Sequence, residues 1–168
     1  MVFDLILRAA TRDDLPALVR IYNDAIALRY ATGHLDPFSE AERVGWFEAH
    51  AADSCPLYVA CSDGKVAGYA AFDPYRSGRG AFRATREISY YVAVDCQRRG
   101  VASALLAHAL ADCPRLGVRN LVSFLMAHNG PSRALLERHL FTLWGTLPGI
   151  AEIDGHSYDH VLYGRRLG

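Results

Sequence analysis

Apolar residues in the first third of the chain recur at the spacing of amphipathic helices. The first apolar face consists of Leu15, Leu18, Val19, Tyr22 and Ile26. Their spacing of three or four residues predicts a helix, with Asp13 or Asp14 as its N-cap. Ser39 and Glu42 have the spacing of a capping box and predict a second helix, which carries the aromatic pair at 46–47 toward the core.

Short apolar runs predict strands in the rest of the chain. Residues 57–61 and 66–72 flank the dipeptide Asp63-Gly64, which is typical of a hairpin turn. Further strands are predicted at 5–8, 87–94, 121–126, 141–147 and 158–166, and helices at 102–112 and from Asn129 to about His139. The order is strand, two helices, three strands, helix, strand, helix and two strands, without linker or repeat. It predicts a mixed α/β fold in a single domain of residues 1–168.

Composition limits the classes of function. The chain has 168 residues, of which 51% are hydrophobic, and 18 basic side chains balance 18 acidic ones. This balance provides no overall field to attract nucleic acid or an anionic membrane, and no apolar run approaches the roughly 20 residues that span a bilayer. The first four residues lack the charged region of a signal peptide, so we expect a cytoplasmic protein that binds neither nucleic acid nor membrane.

The spacing of cysteine and histidine does not indicate a metal site. The four cysteines are Cys55, Cys61, Cys96 and Cys113. They have no C-x-x-C spacing, which favours reduced thiols over a disulfide framework or a zinc site. His156 and His160 flank a strand-like segment, where a spacing of four does not bring side chains together. We therefore expect no metal.

Residues 87–103 contain the clearest functional pattern. An apolar strand runs into a basic turn around Gly100, and the turn opens a helix. The amides of the first helical turn, with Arg98 and Arg99, would form a cradle for a pyrophosphate. The turn lacks both the Lys-Ser/Thr pair of nucleoside triphosphate loops and the G-x-G-x-x-G run of dinucleotide sites. A surface helix start with solvated arginines is the alternative at this point.

Two motifs resemble the GCN5-related N-acetyltransferases, the GNAT family. Residues 97–102 are similar to the family's Q/R-x-x-G-x-G/A loop, with Ala102 where a second glycine is usual, and residues 129–141 are similar to its N-x-x-S-x-x-L-Y/H-E-x-x-G-F/Y segment. Likeness from 7 to 167 points to the phosphinothricin and methionine sulfone acetyltransferase branch. The resemblance implies a mostly antiparallel central sheet flanked by helices, and a homodimer. It implies that acetyl-CoA, the co-substrate, is bound by Tyr91, Val92, Val94, Arg98, Arg99, Gly100, Val101, Ala102, Ser103, Asn129 and Ser132.

Acetyl transfer to an amine requires a base, because an α-amino group with a pKa of about 8 is mostly protonated at pH 7. The resemblance implies Glu87, at the start of the central strand, as this base, acting through water. An ion pair of Glu87 with Arg83 or Arg86 is the alternative. The donors implied for the thioester oxygen are the main-chain N–H groups of Tyr91, Val92 or Val94, where the strand separates from its neighbour.

The loop before this strand supplies candidates for binding the acceptor. Arg76 and Arg83 align with the branch's substrate loop and could bind a carboxylate, and Tyr75 and Glu87 complete the implied set. Arginines in a glycine-rich loop are also commonly just solvated, so both interpretations stay open.

Two positions depart from the family pattern. Leu136 stands where this branch has histidine, near the leaving sulfur, and a leucine cannot donate a proton. The thiolate could leave without an acid, or His139 or a tyrosine could serve instead. Leu140 replaces a glycine and indicates an altered turn after the helix.

These features predict an acetyl-CoA-dependent N-acetyltransferase that acts on the α-amine of a small amino-acid-like substrate. The acceptors expected from the resemblance are of the phosphinothricin, methionine sulfone or methionine sulfoximine type. The alternatives are transfer to a peptide or protein amine, and a CoA-binding regulatory module without catalysis.

Overall fold

The computed structural model describes residues 4–168. The strands are β1 (Ile6–Ala9), β2 (Leu57–Ser62), β3 (Lys65–Pro74), β4 (Thr85–Val92), β5 (Asn120–Met126), β6 (Thr142–Ile153) and β7 (His156–Arg166). The helices are α1 (Leu15–Ala27), α2 (Glu40–Glu48), α3 (Val101–Asp112) and α4 (Gly130–Arg138). The predicted order of elements is confirmed. The expectation of no signal peptide falls mostly on residues 1–3, which lie outside the described part.

All seven strands form one sheet in the order β1-β2-β3-β4-β5-β7-β6. Neighbouring strands are antiparallel except β4 and β5, which run parallel at the centre and are joined through α3. The mixed α/β fold with a mostly antiparallel sheet is therefore confirmed. None of the helices in residues 4–168 is long and apolar enough to cross a membrane.

The sheet has a hydrophobic core on each face. On one face, Leu105 and Leu106 of α3 are completely buried together with Ile88 of β4. On the other face, Leu18 of α1 is buried with Tyr69 of β3. Burying each large apolar side chain contributes about 1.5 to 3 kcal/mol, so both helices are held firmly against the sheet. Because side chains alternate along β4, successive residues of this strand point to opposite faces of the sheet.

The start of α1 differs from the predicted side-chain cap. A short 3₁₀ turn precedes the helix, and the Asp14 carboxylate accepts a bond from the Thr11 N–H at 2.7 Å instead of capping α1. It also accepts two bonds from the Arg8 guanidinium, at 2.7 and 2.8 Å, which lower the pKa of Asp14. Asp14 therefore joins β1 to the beginning of α1.

The turn after α4 keeps its usual geometry despite Leu140, so the expectation of an altered turn was wrong. Leu140 itself adopts the left-handed conformation that glycine normally takes there, with φ of 62°. The N–H of Phe141 donates to the Leu136 carbonyl at 3.0 Å, and the N–H of Leu140 donates to the Glu137 carbonyl at 3.0 Å. These two bonds form a Schellman motif with leucine at its strained position.

Candidate active site

A gap opens in the centre of the sheet between β4 and β5. The two strands pair only through residues 85–87 and 120–122. Beyond that point β4 stays paired with β3 and β5 with β7, so the two central strands diverge. Ser123 marks the place of separation, because its hydroxyl donates to the Ile88 carbonyl at 2.9 Å where a main-chain donor would be expected.

Main-chain amides of β4 point into this gap. The Ala93 N–H donates to the Ala67 carbonyl at 2.9 Å and therefore points toward β3. N–H groups alternate between the two edges of a strand, so the Tyr91 N–H also points toward β3, whereas those of Tyr90 and Val92 point into the gap. Of the implied donors to the thioester oxygen, the Tyr91 N–H is thus turned toward β3 and the Val92 N–H points into the gap.

A cleft of about 320 Å³ lies at the gap, between β4, the end of α1 and the beginnings of α3 and α4. The implied cofactor residues that line it are Tyr91, Val92, Val94, Arg98, Gly100, Val101, Ala102, Ser103, Asn129 and Ser132. Arg99 is not among the lining residues. Arg98, which does line the cleft, has a left-handed conformation with φ of 60°.

The cleft has other lining residues that the sequence did not indicate, and four of them are Tyr90, Cys96, Leu135 and Arg138. Two signals could have found three of them. Tyr90 shares a strand face with Val92, and Leu135 and Arg138 follow Ser132 at helical spacing. Arg138 matters most, because it adds a second positive side chain to the cleft beside Arg98.

The beginning of α3 suits a phosphate group. Gly100 is the N-cap and has φ of 83°, a conformation that favours glycine. The first main-chain bond of the helix runs from the Ala104 N–H to the Gly100 carbonyl, at 2.9 Å. The preceding amides of Val101, Ala102 and Ser103 therefore have no acceptor within the helix. These amides and two arginines match the charge and the hydrogen-bonding needs of a pyrophosphate.

Asn129 fixes the wall of the cleft opposite α3. Its side-chain oxygen accepts a bond from the Ser132 N–H at 3.2 Å and thereby caps α4. Its side-chain amide donates to the Tyr30 carbonyl at 3.4 Å, in the loop after α1. Asn129 is buried, so its contribution to the site is to hold these two segments in position.

Leu136 does not face the cleft, although its position in the motif placed it near the leaving sulfur. Its side chain is 0% exposed and belongs to the core beneath α3, and its neighbour Leu135 lines the cleft instead. His139, one of the alternative acids, lies 2.8 Å from the Ser103 hydroxyl through Nε2, and burial lowers its pKa. Tyr90 lines the cleft, and burial raises its pKa to about 12.

Glu87 lies on the sheet face that carries α1 and α2, the same face as Tyr91. Burial and the neighbouring charge of Asp73 raise the pKa of Glu87 to about 7. Within residues 4–168, Glu87 has neither an ion pair nor a hydrogen bond from a side chain. The guanidinium groups of Arg83 and Arg86 instead donate to main-chain carbonyls, so the alternative of an ion pair is not observed.

An aromatic wall lies beside Glu87. The Tyr75 ring stacks on Phe124 of β5, with 6.4 Å between ring centroids, and meets the edge of Phe82 at 5.4 Å. Because Glu87 is paired with the residue two positions before Phe124, both side chains point to the same face. His160 of β7 continues the stack, 5.5 Å from Phe124.

Two arginines lie in the loop next to this wall. Arg76 is positioned over the Tyr75 ring, 5.8 Å from its centroid, and Arg83 donates to the Gly80 carbonyl at 3.4 Å. In the described part of the chain neither one is paired with an acidic side chain. Both can therefore offer their positive charge to an anionic ligand.

Comparisons with known proteins agree with this geometry. The GNAT acetyltransferase family model matches residues 16–141. YwnH of Bacillus subtilis, provisionally named a phosphinothricin acetyltransferase, is 44% identical over 96% of this chain and 98% of its own length. An L-methionine sulfoximine/L-methionine sulfone acetyltransferase of Pseudomonas paraeruginosa is 32% identical over 91% of this chain and 89% of its own.

A solved structure extends the comparison to the bound co-substrate. The crystal structure of a phosphinothricin acetyltransferase from Sinorhizobium meliloti in complex with acetyl-CoA has a TM-score of 0.92 and 30% identity, and the match covers 100% of this chain and 90% of that one. The family model thus matches residues 16–141, and the sequence and fold comparisons cover nearly the whole chain. The protein belongs to the GNAT family and is an acetyl-CoA-dependent N-acetyltransferase.

Proposed function

We propose that the protein transfers the acetyl group of acetyl-CoA to the α-amine of a small, anionic, amino-acid-like acceptor of the phosphinothricin, methionine sulfone or methionine sulfoximine type. The names of its relatives support this class of acceptor. The observation that carries the proposal is Glu87, a partly buried carboxylate with a pKa of about 7, positioned beside the gap between β4 and β5. A base with this pKa can accept protons near neutral pH.

In this proposal, the cleft holds acetyl-CoA with its pyrophosphate at the beginning of α3. The main-chain amides of Val101, Ala102 and Ser103 donate to the phosphate oxygens, and Arg98 and Arg138 neutralise their charge. Arg99 adds positive charge from outside the cleft. Acetyl-CoA supplies the acyl group as a thioester, which extends toward the gap in the sheet.

Two groups of the protein then stabilise the negative charge that develops on the thioester oxygen and accept the proton of the amine. The Val92 N–H donates to the thioester oxygen as negative charge develops there. Glu87 accepts, through water, the proton that the amine loses while the N–C bond forms and the C–S bond breaks. The sulfur leaves as a thiolate, whose reference pKa of about 8.5 allows departure without a dedicated acid. Leu135 and the buried Leu136 are consistent with this route.

The acceptor lies against the aromatic wall in this proposal. Arg76 and Arg83 bind its carboxylate or its oxidised side-chain group, and Tyr75 packs against its aliphatic part. The α-amine is then directed toward Glu87. The wall is apolar and the arginines lie at its edge, an arrangement that suits a short side chain with an anionic or strongly polar end.

We further propose that residues 1–168 act as one acetyltransferase domain and that two copies form a homodimer in the cytoplasm. Apolar side chains are exposed along the edge strand β6, and they are Leu143, Trp144, Leu147 and Ile150. Such a row suits burial against a second copy. The four cysteines are unpaired, as expected in a reducing compartment. Light scattering that gives one chain per particle would contradict the homodimer.

A panel of acceptors tests the proposed function. Phosphinothricin, methionine sulfone, methionine sulfoximine, ordinary amino acids and short peptides are each incubated with acetyl-CoA, thiol release is followed, and acetylated products are identified by mass spectrometry. We expect turnover with the oxidised or phosphinic amino acids. Activity confined to peptides would favour peptide or protein acetylation, and tight acetyl-CoA binding with no turnover on any amine would favour a regulatory module.

A further inference from the structure

Two carboxylates lie side by side on the acceptor face of the sheet. Asp73 of β3 and Glu87 of β4 are direct partners in the antiparallel register. Directly opposite residues point to the same face, with their Cβ atoms about 5 Å apart. The charge of Asp73 is accordingly one of the two causes that raise the pKa of Glu87, after burial. The proposed base is therefore coupled electrostatically to a second acid.

His50 approaches the other side of Asp73. It lies just after α2, and its Nδ1 is 2.7 Å from the Trp46 carbonyl. A carbonyl can only accept a hydrogen bond, so Nδ1 carries a proton. The opposite nitrogen, Nε2, lies 3.6 Å from Asp73 Oδ1, and the side chain is only 4% exposed.

The hydrogen-bonding pattern around His50 bears on its charge. Nε2 is buried and has no hydrogen-bond partner among residues 4–168. If the ring were neutral, Nε2 would direct a lone pair at a carboxylate, and two acceptors would face each other. A proton on Nε2 removes this conflict and creates an ion pair with Asp73. The C-terminal end of α2 also favours a positive charge at this place.

We propose that a protonated His50 and Asp73 form a charged pair that sets the strength of Glu87 as a base. The inference rests on the proposed function, because it assigns a purpose to the base that function requires. His50 and Asp73 are positioning residues here, since they act through Glu87 and not on the substrate. The charge of Asp73 strengthens Glu87 as a base, and His50 limits this effect by neutralising part of that charge.

Other titratable groups lie around His50, Asp73 and Glu87, but they do not take over the roles of these three residues. They are Arg43 on α2, whose guanidinium lies over the Trp46 ring at 3.9 Å, Cys55 before β2, Tyr69 on β3, and Arg86 and Tyr91 on β4. Burial raises the pKa of the thiol and of both phenols above their ordinary values, so these groups are neutral at pH 7. Arg86 donates to three main-chain carbonyls, which hold its guanidinium away from Glu87.

The two residues have opposite effects in this arrangement. In Asp73→Asn, Glu87 loses its negative neighbour, and the midpoint of its titration falls by about 0.5 to 1 pH unit, because Asp73 is partly exposed and its field is screened. In His50→Gln, Asp73 becomes uncompensated, and the midpoint rises by about 0.5 pH unit. In the double variant, the substitution of His50 has no further effect, because an asparagine amide at position 73 can donate to Nε2, so His50 is neutral in that background and has no charge to lose.

Titration of Glu87 by ¹³C NMR of carboxyl-labelled protein tests the inference, with Glu87→Gln to assign the signal and Asp63→Asn, at the far end of β3, as the matched charge control. We expect opposite shifts of the midpoint in the two single variants, and in the double variant the same midpoint as in Asp73→Asn alone, together with equal displacements of the acid limb of kcat/KM. An unchanged midpoint in Asp73→Asn would overturn the inference even if His50→Gln fails to fold. So would an effect of His50→Gln that persists in the Asp73→Asn background. If the midpoints shift but no amine is acetylated, the proposed function fails and the coupling stands.

Discussion

The Ser123 hydroxyl donates to the Ile88 carbonyl at 2.9 Å, at the place where β4 and β5 cease to pair. This bond satisfies a main-chain acceptor that a continuous ladder would have paired. It lets the strands separate without leaving a buried carbonyl unpaired. The amides of Tyr90 and Val92, further along the same edge of β4, consequently face the gap and can stabilise charge there.

The role of the Val92 amide can be tested by removing it. Val92→Pro eliminates the N–H that points into the gap, while the pairing of β4 with β3 does not require it. We expect kcat to fall about 10²- to 10³-fold, as for the loss of one oxyanion donor. Val92→Ala keeps the amide and serves as the control. Steady-state kinetics should show the large loss only in the proline variant, and equal activities of the two variants would exclude this donor.

The contribution of positive charge in the cleft to acetyl-CoA binding can be tested by charge reversal. Arg98 lines the cleft, so Arg98→Glu should weaken acetyl-CoA binding by about tenfold or more, because an attractive contact becomes repulsive. Arg119→Glu makes the same change in charge on an exposed residue just before β5, away from the cleft. Isothermal titration calorimetry should separate the two variants. Equal affinities in both would contradict a phosphate site at the beginning of α3.

Replacing the exposed Leu140 with glycine is expected to stabilise the folded protein. The residue is 69% exposed and has a positive φ, so its side chain contributes little burial while its backbone is strained. Leu140→Gly should raise the free energy of unfolding by up to about 1 kcal/mol. Leu140→Ala also shortens the side chain but keeps the Cβ, so it should give no such gain. Chemical denaturation of the three proteins provides the comparison, and a glycine variant less stable than the alanine variant would refute the prediction.

Asp14 makes stability depend on pH. Its bonds from Arg8 and Thr11 lower its pKa in the folded protein. The stabilisation is therefore complete above the unfolded pKa of about 3.9 and is lost as the pH falls through the folded pKa. Asp14→Asn should cost about 1 to 3 kcal/mol at pH 7 and less at pH 3. Asp13→Asn, an exposed neighbour, is the control in urea denaturation, and an equal cost at both pH values would contradict this assignment.

The order of elements could be predicted because local signals agreed with the tertiary structure. The Ser39–Glu42 capping box is present in the structure, and the turn at Asp63-Gly64 joins β2 to β3. The cap of α1 could not be predicted. The Asp14 carboxylate could accept hydrogen bonds either from the first amides of α1 or from the guanidinium of Arg8 on β1. Only the folded chain brings Arg8 within hydrogen-bonding distance.

Residues that line the cleft could be predicted where sequence spacing reflects geometry. Residues 100–103 lie together because they form one helix start, and the structure places them along the cleft. The direction of the Tyr91 amide depends on the register with β3, and the position of Leu136 depends on how α4 packs. His50 gave no signal, because its approach to Asp73 joins the end of α2 to β3 across the fold.

The pH dependence of kcat/KM for the wild type and Glu87→Gln tests the central claim most directly. With a folded-state pKa of about 7, Glu87 is a competent base only above that pH, so the wild-type value should fall as the pH drops through 7. The variant should lose about 10²- to 10⁴-fold at pH 8 and lack that limb, while its acetyl-CoA affinity is unchanged. A variant that keeps the wild-type rate and the same pH profile would show that Glu87 is not the base.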